Sequence, residues 1–164
     1  MGTGKSSVGR QVADQLHFHF VDTDDLIEAR AGKSINEIFA HDGEEAFRDL
    51  ERNVVKELAS RSRTVISTGG GLPINPANLA SLRKHALVVC LWATPEKSWE
   101  RVRNQSHRPL LKGANPLAKI RDLMAMREKF YRQADVLLNT EWRSVREVTQ
   151  QVIHHFKAAR GRRK

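Results

Sequence analysis

Apolar residues along the chain follow two spacings in alternation, and this pattern predicts strands separated by amphipathic helices. Apolar runs bounded by polar residues are typical of buried strands, whereas apolar residues three or four positions apart lie on one face of a helix. The predicted strands are residues 19–22, 64–68, 86–93 and 135–138. The predicted helices are residues 6–16, 44–60, 75–84, 95–104, 116–134 and 144–160, with a short helix after the capping-box spacing of Ser34 and Glu37. This order predicts an α/β fold of three layers, in which helices cover both faces of a mostly or wholly parallel sheet.

The length of 164 residues predicts a single domain over residues 1–164 with one buried core. Hydrophobic residues make up 40% and charged residues 29%, proportions typical of a globular protein. No run approaches the roughly 18 apolar residues of a membrane span, and no signal-peptide pattern opens the chain. We therefore expect a cytoplasmic protein without a membrane partner. The single cysteine, Cys90, lies in the apolar run 86–93 and is expected to be a small buried side chain.

The net charge of +9 favours anionic partners, which could be nucleotides, phosphorylated metabolites or nucleic acid. Part of the excess lies in a basic tail, residues 157–164, which we expect to be a solvated end. The rest comes from arginines in the middle of the chain, and their surroundings decide between these partners.

Glycines at the start of the chain predict a phosphate-binding loop that leads into the first helix. The segment Gly2-Thr3-Gly4-Lys5-Ser6, followed by Ser7, matches the back half of the P-loop pattern. Glycines let backbone N–H groups surround phosphates, the lysine reaches the β- and γ-phosphates, and the serine hydroxyl binds Mg²⁺. A glycine-rich turn with a chance Lys-Ser pair is the alternative interpretation.

The P-loop pattern is incomplete, because its first glycine would lie five residues before Gly4 and therefore before Met1. The strand that normally leads into such a loop, a central strand of the sheet, is also missing from this sequence. We expect that the natural chain begins further upstream.

Further along the chain, acidic, basic and glycine-rich motifs fall at predicted strand ends and on predicted helices. They are Asp22-Thr23-Asp24, Phe47-Arg48 with Glu51, Gly69-Gly70-Gly71, Arg108-Pro-Leu-Leu111, and Arg127 with Tyr131. A hydroxyl that accepts a phosphoryl group needs a carboxylate to orient it and take its proton, and Asp24 is our candidate. Asp22 is the candidate for binding a metal through water. The alternative for two acids at a strand end is an exposed turn, or a helix cap for Asp25 and its neighbours.

Arginine pairs bidentately with planar carboxylates, so Arg48 and Arg127 are candidates for holding an anionic substrate. Glu51 follows Arg48 by three positions on the same helical face and could fix its rotamer. The alternatives are a surface ion pair for Arg48 and a solvent-facing side chain for Arg127. The triple glycine would let backbone N–H groups approach a ligand, or would form a flexible turn.

In order and approximate spacing these motifs resemble those of shikimate kinases over nearly the whole chain, apart from the missing front and the basic tail. The resemblance implies a P-loop fold, ATP and Mg²⁺, and phosphorylation of the 3-hydroxyl of shikimate on the route to chorismate and the aromatic amino acids. It implies that Lys5, Asp24 and Arg108 act in catalysis, with Arg108 in a lid over about residues 105–115. The nucleotide would contact Gly2, Thr3, Gly4, Lys5, Ser6, Ser7, Arg101 and Arg108, with Arg101 on the adenine. Shikimate would contact Asp24, Arg48, Gly69, Gly70, Gly71 and Arg127, and Mg²⁺ would contact Ser6 and Asp22.

Three rival functions stay open at this point. Another small-metabolite kinase of the same fold, such as a gluconate kinase, is not excluded by the paired arginines, although the triple glycine and the Asp-x-Asp motif favour shikimate. A non-catalytic nucleotide-binding module would bind ATP without turnover. Nucleic-acid binding ranks last, because the arginines lie inside the kinase motifs and no aromatic residues alternate with basic ones. We expect a monomer that binds small molecules and no nucleic acid.

Overall fold

The structure, a computed structural model, describes residues 2–103 and 115–161, and the chain divides into two units. The terminal unit consists of Met1–Val8 and Val88–Lys164, and the middle unit is Gly9–Leu87. The division falls inside the first helix, α1 (Lys5–Leu16). Within the described residues each unit contains one pair of parallel strands.

The middle unit pairs β1 (His19–Asp22) with β2 (Thr64–Ser67), so that His19 lies opposite Thr64 and Asp22 opposite Ser67. Between these strands the chain forms α2 (Thr23–Ala31), α3 (Ile35–Glu37), a π-helical turn over Ile38–Asp42, and α4 (Gly43–Leu58). A 3₁₀ turn over Leu72–Ile74 and α5 (Pro76–His85) follow β2.

The core of the middle unit forms on the apolar stripe of α4, as its helical spacing predicts. Five buried side chains cluster there: Ile27, Ile38, Phe47, Val54 and Leu58. Burying a side chain of this size stabilises a fold by about 1.5–3 kcal/mol before the entropy of ordering is subtracted. This core supports the two elements, α2 and α4, that carry the acidic and basic motifs of the middle unit.

The terminal unit pairs β3 (Val89–Trp92) with β4 (Val136–Asn139) in parallel. Its helices are α6 (Pro95–Val102), α7 (Pro116–Tyr131) and α8 (Val145–Gly161). The helices α6 and α7 begin in the same way, with a polar N-cap and a proline at the first position. The Thr94 hydroxyl accepts a hydrogen bond from the amide of Lys97, and the Asn115 side chain accepts one from the amide of Ala118.

The four predicted strands and their parallel pairing are confirmed, and they form two separate pairs in the described part of the chain. Strand β3 is shorter than the predicted 86–93 and is half-buried rather than fully buried. The capping box of Ser34 and Glu37 is confirmed. The upstream strand and the single domain stay predictions.

One helix, α2, was not predicted. It begins directly after β1 because Asp22 has an extended backbone and its side chain accepts a hydrogen bond from the amide of Asp24 at 3.1 Å. Asp22 is therefore an N-cap, and the helix carries Asp24 in its first turn.

Within residues 2–103 and 115–161, each helix is either too short or too polar to cross a membrane.

Candidate active site

The glycine loop before α1 has the backbone shape that a phosphate-binding loop requires. Gly2 and Gly4 have φ angles of 68° and 84°, a left-handed region that glycine adopts without strain. A Cβ atom on Gly2 would lie 2.7 Å from the carbonyl oxygen of Ser98, so a larger residue does not fit there. Lys5 is half-buried, whereas Ser6 and the following Ser7 are exposed at the N-terminus of α1. An exposed helix N-terminus preceded by glycines favours anions.

Arg101 of α6 connects this loop to the segment that follows β4. Its guanidinium donates to the carbonyl oxygen of Gly2 at 3.3 Å and to the hydroxyl and carbonyl oxygens of Thr140 at 3.1 and 2.6 Å. It also donates to the carbonyl oxygen of Glu141 at 3.3 Å. Arg101 thus holds the glycine loop in place, a role that the sequence did not indicate. Its contact with adenine stays a prediction.

In the middle unit, Asp24 lies against the glycine-rich loop after β2. A Cβ atom added to Gly69 would lie 2.5 Å from Oδ1 of Asp24, closer than real Cβ contacts come. The amide of Gly69 donates to the hydroxyl of Thr23 at 3.0 Å, and Thr23 is almost fully buried. Asp24 and Gly69, two predicted substrate-binding residues that are far apart in the sequence, are therefore neighbours.

The same loop approaches Arg48 of α4 two residues later. A Cβ atom added to Gly71 would lie 2.8 Å from Nη1 of Arg48. Gly69 and Gly71 therefore keep this loop free of side chains that would displace Asp24 and Arg48. The φ angle of Gly71 is −89°, so close approach rather than backbone conformation requires glycine here. Gly70 lies between them in the same turn.

Two glutamates of α4 hold the guanidinium of Arg48. Glu51, which is 2% exposed, accepts from Nη1 at 2.7 Å, as the spacing predicts. Glu44 was not predicted, and it accepts from Nε at 3.2 Å and from Nη2 at 2.8 Å. Burial alone would lower the pKa of Arg48, but the hydrogen bonds to Glu51 and Glu44 outweigh it and raise the pKa above its usual value.

Arg127 lies on α7 of the terminal unit, where it is half-buried rather than fully exposed to solvent. Its side chain hydrogen-bonds that of Tyr131, one turn later on the same helix. Burial raises the pKa of Tyr131, and the bond with Arg127 partly offsets the rise. Arg108 and the predicted lid, apart from Asn115, lie outside the described residues.

The described residues contain no group of three or more His, Cys, Asp or Glu side chains that could hold a metal ion by themselves. The predicted metal ligands, Ser6 and Asp22, lie in the terminal and middle units respectively. Asp22 is half-buried, and one of its oxygens accepts the amide of Asp24.

This arrangement is typical of P-loop kinases that act on small metabolites: a glycine loop opens a helix, the strands are parallel, and a carboxylate faces a glycine-rich turn.

Comparison with known proteins identifies the family. A family model described as shikimate kinase matches residues 1–157. A shikimate kinase of Caldanaerobacter subterraneus is 43% identical over 162 residues, which cover 99% of this chain and 95% of the relative. A shikimate kinase of Geobacter metallireducens is 46% identical over 152 residues, which cover 93% and 85%. The solved structure of shikimate kinase from Acinetobacter baumannii in complex with shikimate has a TM-score of 0.91 and 36% identity, and the match covers 97% of this chain and 89% of that one.

The chain belongs to the shikimate kinase family. It is accordingly a phosphotransferase that uses ATP and acts on an alcohol group.

Proposed function

We propose that this protein transfers the γ-phosphoryl group of ATP to the 3-hydroxyl of shikimate, with Mg²⁺ as the metal. The observation that carries the assignment of the acceptor site is the close approach of the loop after β2 to both Asp24 and Arg48. A carboxylate that accepts a proton and a guanidinium that pairs with a carboxylate are the two groups that a hydroxylated, carboxylated ring requires. We further expect a monomeric enzyme in the cytoplasm.

Asp24 would orient the acceptor hydroxyl and take its proton as the new O–P bond forms. The first turn of α2 suits this role, because the cap at Asp22 fixes the backbone that carries the carboxylate. Most of the catalysis in phosphoryl transfer comes from positioning and from neutralising charge. Lys5 would provide positive charge at the β- and γ-phosphates, and Arg108 at the transferring group.

The carboxylate of shikimate would pair with Arg48, and Arg127 is its second predicted partner from the resemblance to shikimate kinases. The Nε/Nη2 edge of Arg48, which suits bidentate pairing, is held by Glu44, an exposed residue. Glu51, which is almost fully buried, holds the opposite side through Nη1. A substrate carboxylate would therefore replace Glu44 while Glu51 keeps the guanidinium in place.

The chemistry of the predicted metal ligands fits Mg²⁺. Ser6 offers a hydroxyl oxygen as a ligand, Asp22 offers a carboxylate oxygen that would bind the metal through water, and both are hard oxygen donors. Mg²⁺ in nucleotide sites keeps several waters and binds phosphates, so one carboxylate and one hydroxyl from the protein suffice. The metal would neutralise charge on the phosphates during transfer.

Coupled ADP release with Mg²⁺ and ATP tests the proposal, with shikimate, gluconate or no acceptor. Turnover should require shikimate, and Asp24→Asn should lower kcat by about 10²-fold or more, the range for loss of a general base. The matched control is Asp25→Asn. Asp25 is the next residue of the same helix, is exposed, and forms only a long surface ion pair with Arg10 at 3.9 Å among its described contacts. This variant should stay within about 3-fold of wild type.

Each rival function predicts a different result in the same assay. Faster turnover with gluconate would support the other metabolite kinase, and ATP binding without turnover would support the binding module. Equal activity of Asp24→Asn and wild type with shikimate would refute the assignment of the base but not the reaction.

A further inference from the structure

Thr23, the residue between the two aspartates, is buried and makes a hydrogen bond that has no part in the proposed reaction as described above. Thr23 is 1% exposed, and its hydroxyl oxygen accepts a hydrogen bond from the amide of Gly69 at 3.0 Å. The two residues are 46 positions apart in the sequence. This contact joins the start of α2 to the glycine-rich loop after β2.

The hydrogen bond lies where the parallel ladder ends. The last pair of the ladder is Asp22 with Ser67, and beyond it the chain turns from β1 into α2. The amide of Gly69, two residues after Ser67, is partly buried and lies beyond this ladder, so its hydrogen bond goes to an acceptor outside the strands. The hydroxyl of Thr23 is that acceptor.

Thr23 and Asp24 are consecutive residues in the first turn of α2, so the bond from Gly69 to Thr23 also sets the distance from Gly69 to Asp24. This distance is short, because a Cβ atom on Gly69 would lie only 2.5 Å from Oδ1 of Asp24. We infer that Thr23 is a positioning residue, which fixes the glycine-rich loop against the carboxylate of Asp24 so that the acceptor hydroxyl is bound in one orientation. The inference rests on the proposed role of Asp24.

The kinetic test compares Thr23→Val, which keeps the shape but loses the acceptor, with Thr23→Ser, which keeps the hydroxyl. Thr23→Val should lower kcat/KM for shikimate by about 5- to 30-fold, the size expected when the partly buried Gly69 amide loses its acceptor. The KM for ATP should change by less than about 2-fold, and Thr23→Ser should recover most of the loss. Equal losses in both variants, or an equal rise in the KM for ATP, would overturn the inference because they indicate general damage to the fold.

Thr149→Val is the matched control. Thr149 is also fully buried, and its hydroxyl donates to the carbonyl oxygen of Val145 within α8, which carries none of the proposed site residues. This variant should leave kcat/KM for shikimate within about 2-fold of wild type. A loss as large as that of Thr23→Val would refute a specific role for Thr23.

Hydrogen exchange of the Gly69 amide, followed by NMR without any ligand, tests the contact independently of catalysis. The amide should exchange slowly in wild type and in Thr23→Ser, and at least about 10-fold faster in Thr23→Val. Fast exchange in wild type would overturn the inference even if the enzyme phosphorylates shikimate. Slow exchange in an enzyme without shikimate turnover would retain the contact and refute the proposed function instead.

Discussion

Gly69→Ala should lower activity and leave stability nearly unchanged, because glycine is required at this position only by its close approach to the carboxylate of Asp24. The φ angle of Gly69 is not in the left-handed region, so alanine meets no backbone strain. Its Cβ atom would lie 2.5 Å from Oδ1 of Asp24 and 3.3 Å from Cγ and Oδ2. The atoms that it displaces are the end of one flexible side chain.

The magnitude follows from these distances. Ordinary van der Waals contact begins at 3.4 Å, so Oδ1 has to move by about 0.9 Å. A misplacement of about 1 Å in a reacting group costs roughly 10²-fold in rate, and we expect a loss of that size in kcat. The free energy of unfolding should change by less than about 1 kcal/mol. Alanine restricts the unfolded chain more than glycine does, and this stabilises the folded protein by about 0.4–1 kcal/mol.

The control for this prediction is Gly32→Ala at the other end of α2. Gly32 has a φ angle of 62° at the C-cap, and no atom lies within 4 Å of where its Cβ would be. Alanine there should cost about 1–2 kcal/mol of stability through backbone strain and leave kcat unchanged.

Coupled ADP release gives kcat for both variants, and urea denaturation gives their free energies of unfolding. A folded Gly69→Ala enzyme with kcat within about 3-fold of wild type would refute the reasoning, because Asp24 would then not be held against the loop.

Four further predictions concern single side chains. Glu44→Gln should lower the KM for shikimate by up to about 5-fold in steady-state kinetics, because it removes an exposed competitor for Arg48; a higher KM would contradict this. Arg101→Lys should raise the KM for ATP by about 5- to 30-fold and leave the KM for shikimate unchanged. The reason is that an ammonium group cannot make the forked contacts by which the guanidinium holds the glycine loop. Parallel changes in both KM values would contradict this role of Arg101. Hydrogen bonds from the hydroxyl and amide of Ser144 lower the pKa of Glu147 below its usual 4.5. The ionised Glu147 carboxylate therefore stabilises the folded protein above about pH 4.5, and this stabilisation is lost as the pH falls through the lowered pKa. Denaturation curves of Glu147→Gln should therefore show a smaller loss of stability in acid than wild type, and an equal loss would refute this role. Burial raises the pKa of the Cys90 thiol above its usual 9.0. A disulfide reagent at about pH 8 should therefore modify this thiol far more slowly in the native protein than in denaturant. Equal rates would show that the thiol is accessible in the native protein.

The sequence predicted the strands and most helices well, because their patterns are local. Strand β1 has the predicted bounds, α1 begins one residue earlier than predicted, and α8 begins and ends one residue later. The helix α2 was missed for a physical reason. Its N-cap is Asp22, for which a helix cap was only an alternative to a metal ligand, and Ile27 is the only apolar residue among its buried side chains, so the helical stripe is weak.

Of the contacts among the candidate site residues, the sequence predicted the pair of Arg48 and Glu51 but not the approach of Gly69 to Asp24. The pairing of Gly69 with Asp24 depends on the register of β1 and β2, a long-range property that no local motif contains. Thr23 could have been suspected, because a hydroxyl between two aspartates at a strand end can serve as an acceptor. Nothing in the sequence indicated that Arg101 holds the carbonyl oxygens of Gly2 and Thr140.

The surroundings of Arg48 explain why one arginine can be both fixed in place and available to a ligand. Two carboxylates next to one guanidinium form a cluster with a net negative charge, which alone would repel an anionic substrate. The two glutamates differ in burial, however: the Glu51 side chain is 3% exposed and that of Glu44 is 67% exposed. An exposed ion pair contributes about 0–1 kcal/mol, so Glu44 can be replaced at little cost, whereas removing the buried partner would leave Arg48 without its fixed contact. Under the proposed function, a substrate carboxylate would therefore replace that of Glu44 while Arg48 stays beside Gly71.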